Sequence, residues 1–214
     1  MTEPAVGEAP HGERAIDAAQ RAGRVKLVLL FVLFSLPVVA SYLAYYVFPS
    51  ERRSNYGTLV EPQRDLPDVA AVDPDGRPVA LSALRGKWVL LTVAPSACDR
   101  ACVDRLWLMR QVRLTTGKDR ERVERAWIVP DAGPVDAALR DEYAGTVIAR
   151  VDAQALSGAL GAALPVDAQA GTGLTDHVWV VDPLGHVMMR FPKGADPNRV
   201  KKDIAKLLRV SRIG

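Results

Sequence analysis

Two cysteines, Cys98 and Cys102, are the only thiols in the chain, and they stand four apart in Cys98-Asp99-Arg100-Ala101-Cys102. The segment before them, Trp88-Val-Leu-Leu-Thr-Val93, is an apolar run of the kind buried on both faces of a sheet. The segment after them has apolar residues at helical spacing: Cys102, Leu106, Met109 and Val112. A thiol pair at a strand-to-helix junction meets the positive end of the helix dipole, which favours the thiolate of Cys98. The thiolate is the form that attacks disulfides and binds metals.

The spacing leaves two chemistries open. Helical residues four apart have Cβ atoms about 5–6 Å apart, whereas a disulfide wants about 3.5–4.5 Å. If both cysteines are helical, a metal ion fits between the sulfurs more readily than a bond does, and two soft thiolates suit copper(I). If Cys98 lies just outside the helix, a disulfide forms easily. A third possibility is an inert structural disulfide, although a loop this short adds little through chain entropy.

Three histidines complete the inventory of soft or borderline ligands. His11 lies in the N-terminal tail. His177 opens an apolar segment in Asp176-His177-Val178-Trp179-Val180-Val181 and is expected near the cysteine junction, as a third ligand or as a structural side chain. His186 follows a turn and is expected to be exposed. Zinc needs a fourth ligand, and His177-x8-His186 lacks finger spacing. Trp107, Trp127 and Trp179 read as core residues. No phosphate loop, Ser-His-Asp order or paired-carboxylate signature stands out.

The elements that position these residues follow from the pattern. Residues 27–48 form an uncharged stretch with Tyr42, Tyr45 and Tyr46 near one end, long enough for a single transmembrane anchor. Arg14, Arg21, Arg24 and Lys26 precede it, while Arg52, Arg53 and Arg64 follow. That bias, with the cysteine pair in the larger part, places the tail 1–26 in the cytoplasm and the domain in the periplasm of a bacterium. Residues 49–65 read as a polar tether, and 66–214 as one domain. Its expected order is hairpin (Val69–Val72 with Pro78–Leu81), strand, helix, strand (Arg125–Val129), helix (Val135–Ala144), strand (Thr146–Val151), helix (Ala153–Leu164), a loop at Ala168–Gly173, hairpin (Val178–Val181 with His186–Phe191) and a last helix capped by Asp196-Pro197. Strands alternating with helices and ending on a hairpin imply an α/β fold whose mixed sheet is covered on both faces. A net charge of +3 without aromatics interleaved among the basic residues argues against a nucleic-acid partner. Basic residues gather between Arg100 and Arg125, as a solvated face or a surface for an acidic partner.

These residues together resemble the Sco/SenC family of copper-handling proteins. The resemblance rests on the anchor, Gly86-Lys87 leading into Trp88–Val93, Cys98-x3-Cys102, and Asp176-His177 followed by a strand and the turn Asp182-Pro183-Leu184-Gly185. It covers roughly Leu66 to Leu208. The chain departs from the family at Asp99 and Val103, where proline usually follows each cysteine, and in a shortened acidic segment after Val129. The resemblance implies a thioredoxin-like mixed sheet flanked by helices and copper held by Cys98, Cys102 and His177. It also implies a partner in cytochrome c oxidase subunit II or another assembly factor. Thr175-Asp176-His177 stands where thioredoxin-like reductases carry a cis-proline. The enzymatic alternative is thiol–disulfide exchange, with Cys98 attacking and Cys102 resolving.

Overall fold

A computed structural model describes residues 11–46, 55–165, 173–211 and 213. The chain divides into two units, residues 1–53 and 54–214. The first contains one helix, α1 (His11–Tyr46), which includes Pro37. Within it, Gly23–Leu43 is long and apolar enough to cross a membrane, and none of that stretch is buried. The helix extends well before Leu27, into the segment expected as the cytoplasmic tail. Ala15, Ala18, Ala19, Gln20 and Ala22 favour helix there. The expected end of the anchor at 47–48, the tether's first residues 49–54 and residues 1–10 lie outside the described residues.

The second unit is built on an eight-stranded sheet in the order β1-β8-β7-β4-β5-β6-β2-β3. Its strands are β1 (Thr58–Asp65), β2 (Ala70–Val72), β3 (Pro78–Ala80), β4 (Trp88–Val93), β5 (Val123–Val129), β6 (Val147–Arg150), β7 (Val178–Val181) and β8 (His186–Phe191). β4, β5 and β6 run parallel, and the remaining neighbours are antiparallel. The sheet is therefore mixed, as the terminal hairpin implied.

Residues 58–65 are not a tether. They form β1 and pair with β8, Thr58 opposite Arg190 and Asp65 opposite His186. Their polar composition suits an edge strand, whose outer side faces water. The entry to β1 is pinned: Asp203, on the last helix, accepts hydrogen bonds from Tyr56 N (2.7 Å) and Gly57 N (2.8 Å). At Gly57 a Cβ would stand 2.5 Å from the Met189 sulfur and 2.8 Å from the Phe191 ring, so any larger residue would force these core side chains to move.

Two cores lie on the two faces of the sheet. On one, α2 (Arg100–Thr115) and the last helix pack Cys102, Leu106, Met109, Val112, Val200 and Ile204 against Leu90, Trp127, Val178 and Val180. On the other, Leu81, Leu84, Leu160 and Leu164 cover Val89, Leu91, Ile128, Trp179 and Val181. β4 is buried along its whole length, as its composition required. Trp127 and Trp179 are core residues, but Trp107 is 45% exposed. The inward stripe of α2 is filled by Cys102, Leu106 and Met109, and Trp107 lies one residue round the helix from it.

α3 is shorter than expected, Ala137–Glu142, because Asp136 caps it through Ala138 N and Gly145 (φ +79°) follows its end. The Ala-rich stretch from Ala153 is not one helix. It divides into α4 (Ala153–Ala155), a π turn (Leu156–Leu160) and α5 (Gly161–Ala163), broken where Gly158 leaves helical geometry (φ −88°, ψ −117°). The loop expected at Ala168–Gly173 lies outside the described residues except for Gly173. The last helix, α6 (Pro197–Val210), is capped by Asp196, which accepts from Asn198 N, with Pro197 at its first position.

Candidate functional site: a disulfide at the end of β4

β4 ends at Val93, and the chain reaches Cys98 through a loop held at several points. Ala94 N donates to Ile128 O, and Trp127 Nε1 donates to Ala94 O at 2.9 Å. Ser96 donates to Asp131 through both its N–H (2.9 Å) and its hydroxyl (2.5 Å), and Gly133 N donates to the same carboxylate. The Ser96 hydroxyl is the main reason the Asp131 carboxyl is held below its ordinary range. Asp131 thus fastens the cysteine loop to the end of β5.

Asp99 is the N-cap of α2, and its carboxylate accepts from Cys102 N at 2.8 Å. Cys98 therefore lies outside the helix and Cys102 in its first turn. Of the two geometries left open by the spacing, this is the one that permits a disulfide. Cys98 and Cys102 are so joined, with Cα atoms 5.3 Å apart. Cys102 is fully buried in the core, while Cys98 is half-buried at the surface. The pair has the asymmetry of a redox couple, one sulfur accessible to a partner and one protected.

His177 opens β7, which pairs with β4 so that Thr92 lies opposite Val178. Its backbone is thus at the end of β4, as expected. Its ring is on the other side of the sheet. Val178 and Val180 face the core that holds Cys102, whereas the His177 ring packs on Trp179 of the opposite core, 5.2 Å between centroids. His177 is 5% exposed. Its Nδ1 lies 3.1 Å from Gly173 O, so Nδ1 carries the proton and Nε2 keeps a lone pair. Burial pushes the imidazole below the ordinary histidine range, against the opposing pull of that Gly173 bond. Among the described residues no three His, Cys, Asp or Glu side chains converge as a metal-holding group. The structure brings together Cys98 and Cys102 but not the His177 ring.

His186 is not free in solvent. Its Nδ1 lies 3.0 Å from Asp182 and its Nε2 3.3 Å from Asp65, so it ties the hairpin turn to β1. The side chain of His11 lies outside the described residues.

Two residues around the site were not singled out from the sequence. Arg105 on α2 is 7% exposed and donates through Nε to Thr92 Oγ1 at 3.0 Å; Thr92 Oγ1 in turn donates to His177 O at 3.3 Å. The signal was present as an arginine inside the apolar stripe of α2 and a threonine inside an apolar strand. A separate and larger depression, about 1060 Å³, lies between the β2–β3 hairpin and residues 150–153, at the far edge of the sheet.

Residues 88–211 match the family described as transmembrane-like, thioredoxin-like, C-terminal domain. The chain belongs to that family. Its thioredoxin-like domain is also similar in structure to several Sco proteins. Yeast Sco1 superposes with a TM-score of 0.55 at 14% identity, over 71% of this chain and 98% of that one. A SCO1/SenC family lipoprotein from Bacillus anthracis gives 0.53 at 13%, over 70% and 99%. Arabidopsis thaliana ScoI with copper bound gives 0.52 at 15%, over 73% and 99%. The thioredoxin-like fold of the Sco proteins is therefore the fold of this chain. No curated protein matches it by sequence.

Proposed function

We propose that the chain is a membrane-anchored assembly factor. It carries copper through Cys98, Cys102 and His177, and delivers it to, or reduces the cysteines of, the copper centre of cytochrome c oxidase subunit II. The observation that carries the reading is the Cys98–Cys102 pair astride the N-cap of α2, with Asp176-His177 leading the strand beside it. The likeness in fold to a copper-bound plant Sco protein supports it. The anchor is the stretch within α1, and the domain lies on the periplasmic side of a bacterial inner membrane.

The donor set fits copper(I): two soft sulfurs and an imidazole that burial keeps neutral, with Nδ1 occupied and Nε2 available. In the disulfide form the sulfurs are bonded to each other and hold no ion. Loading therefore begins with reduction: a dithiol reductant gives up two electrons and two protons, becomes a disulfide, and leaves Cys98 and Cys102 as thiols. The thiols release their protons on taking the ion. The His177 ring must also leave its contact with Trp179 to join them.

Thiol–disulfide exchange without copper is the second reading, favoured by the exposure difference between the cysteines. There the Cys98 thiolate attacks a client disulfide, one client sulfur leaves as a thiol, and Cys102 displaces the other from the mixed disulfide.

Anaerobic titration of the reduced full-length chain in detergent with copper(I) separates the readings. One ion retained per chain, lost in Cys98→Ser and Cys102→Ser and weakened in His177→Ala, is the expected result. A folded, reduced chain that retains no copper sinks the copper reading and leaves exchange. Unchanged affinity in His177→Ala removes His177 from the ligand set.

A further inference from the structure

Arg105 stands three residues beyond Cys102 on the same helix, 93% buried if its 7% exposure is taken from the whole. Its Nε is used by Thr92 Oγ1. Its two Nη groups donate no hydrogen bond to, and make no ion pair with, any described residue, and they are not sealed from water. The carboxylates near enough to matter are engaged elsewhere. Asp99 caps Cys102 N, Asp104 pairs with Arg100 at 3.0 Å, and Asp176 binds Gly173 N at 2.9 Å and Lys193 at 3.4 Å. Burial pulls the guanidinium below its ordinary range, and those three carboxylates only partly offset it. A largely buried guanidinium whose Nη groups meet only water is open to a carboxylate partner.

The side chain lines a cavity of about 340 Å³ between the first turns of α2 and the β8–α6 connection. Ala101, Asp104, Trp107, Leu108, Lys193 and Ala195 are among its walls, the Asp104 carboxylate being paired with Arg100. Most of these walls are apolar, the Trp107 ring is exposed, and Arg105 lines the cavity beside them. Ala101 stands between Cys98 and Cys102 in the chain, so the cavity borders the first turn of α2.

We infer that this cavity receives an acidic side chain, Asp or Glu, of the client polypeptide that meets the cysteine pair. The inference extends the reading of Cys98 and Cys102 as a centre that engages a client. Charge complementarity selects the occupant: a carboxylate offers two acceptors to the open face of a guanidinium, and its short apolar stem suits the walls. Seated there, the client's neighbouring residues lie next to the half-exposed Cys98. Lys193 adds a second cation, though its ion pair with Asp176 limits its share.

The test uses the full-length chain in detergent, oxidised, with two cysteine-free peptides, acetyl-Leu-Glu-Leu-amide and acetyl-Leu-Gln-Leu-amide, compared by calorimetry. These peptides need neither copper nor exchange, so the outcome is independent of the copper titration. The glutamate peptide is expected to bind about tenfold tighter than the glutamine peptide, the scale of one charge-assisted contact. Arg105→Met should bring the two affinities together, Arg105→Lys should keep part of the difference, and Lys193→Met most of it. Equal affinities in the wild type overturn the inference, as does a difference that survives Arg105→Met or disappears in Lys193→Met. The wild-type comparison and Arg105→Lys decide the matter even where Arg105→Met does not fold.

Discussion

The carboxylate of Asp99 accepts a hydrogen bond from the backbone N–H of Cys102 at 2.8 Å. One residue thereby fixes where α2 begins, and so places Cys98 outside the helix and Cys102 inside it. Asp99→Ala should destabilise the oxidised domain by about 1 kcal/mol, the usual loss for an N-cap. Asp99→Asn, which keeps an acceptor, should cost only a few tenths. Chemical denaturation of the two variants checks this; equal losses would mean that the charge, not the cap, matters.

β1 is part of the fold, so a soluble fragment must include it. A fragment starting at Leu66 lacks the whole strand, the Tyr56 ring that lies 6.2 Å from Phe191 and under Arg199, and both donors to Asp203. A fragment starting at Asn55 should unfold cooperatively and at markedly higher denaturant than one starting at Leu66. Within the longer fragment, Asp203→Ala strands two backbone N–H groups and should cost about 2–3 kcal/mol. Coincident midpoints for the two fragments would return residues 58–65 to the role of tether.

The His177 imidazole is held below its ordinary range, first by burial; Arg190 and Arg105 push the same way, while the Gly173 carbonyl and Asp176 oppose. The unfolded chain therefore binds more protons than the folded one in the window below the unfolded histidine value of about 6.5. Stability from this group is complete above that value and is lost as pH falls from there toward the folded value, below which the loss levels off. His177→Gln should flatten that part of the stability-against-pH curve relative to wild type. Parallel curves for the two proteins from pH 7 to 5 would show that His177 does not carry the dependence.

Membrane topology can be read with reporters that are active only after export. Fusions after Pro49 and after Gly214 are both expected to be active, and a fusion at the N-terminus inactive. An inactive fusion after Gly214 in an intact chain would put the domain in the cytoplasm, where a reducing pool and the absence of an exported copper centre remove the basis for the proposed role.

Much of this protein was legible in its sequence because the signals are local. The continuous apolar run of Trp88–Val93 made β4 a central strand before any neighbour was known, and Asp196-Pro197 marked the start of α6. Both hairpins, Val69–Val72 with Pro78–Leu81 and Val178–Val181 with His186–Phe191, were legible, the second through its turn Asp182–Gly185. The cysteine spacing at a strand-to-helix junction located the site. What stayed hidden depended on partners distant in the chain. Thr58–Asp65 is polar and reads as linker; it is a strand only because β8 offers an open edge about 125 residues later. Trp107 reads as core, but Cys102, Leu106 and Met109 take the inward face of α2 and leave it at the surface. The choice between a metal-ready pair and a disulfide turned on whether Cys98 is helical, which the Asp99 cap decides. Last, the sequence puts His177 next to β4, yet the side of the sheet its ring occupies follows from strand alternation. With Val178 turned toward Cys102, the ring of His177 must share the opposite face with Trp179.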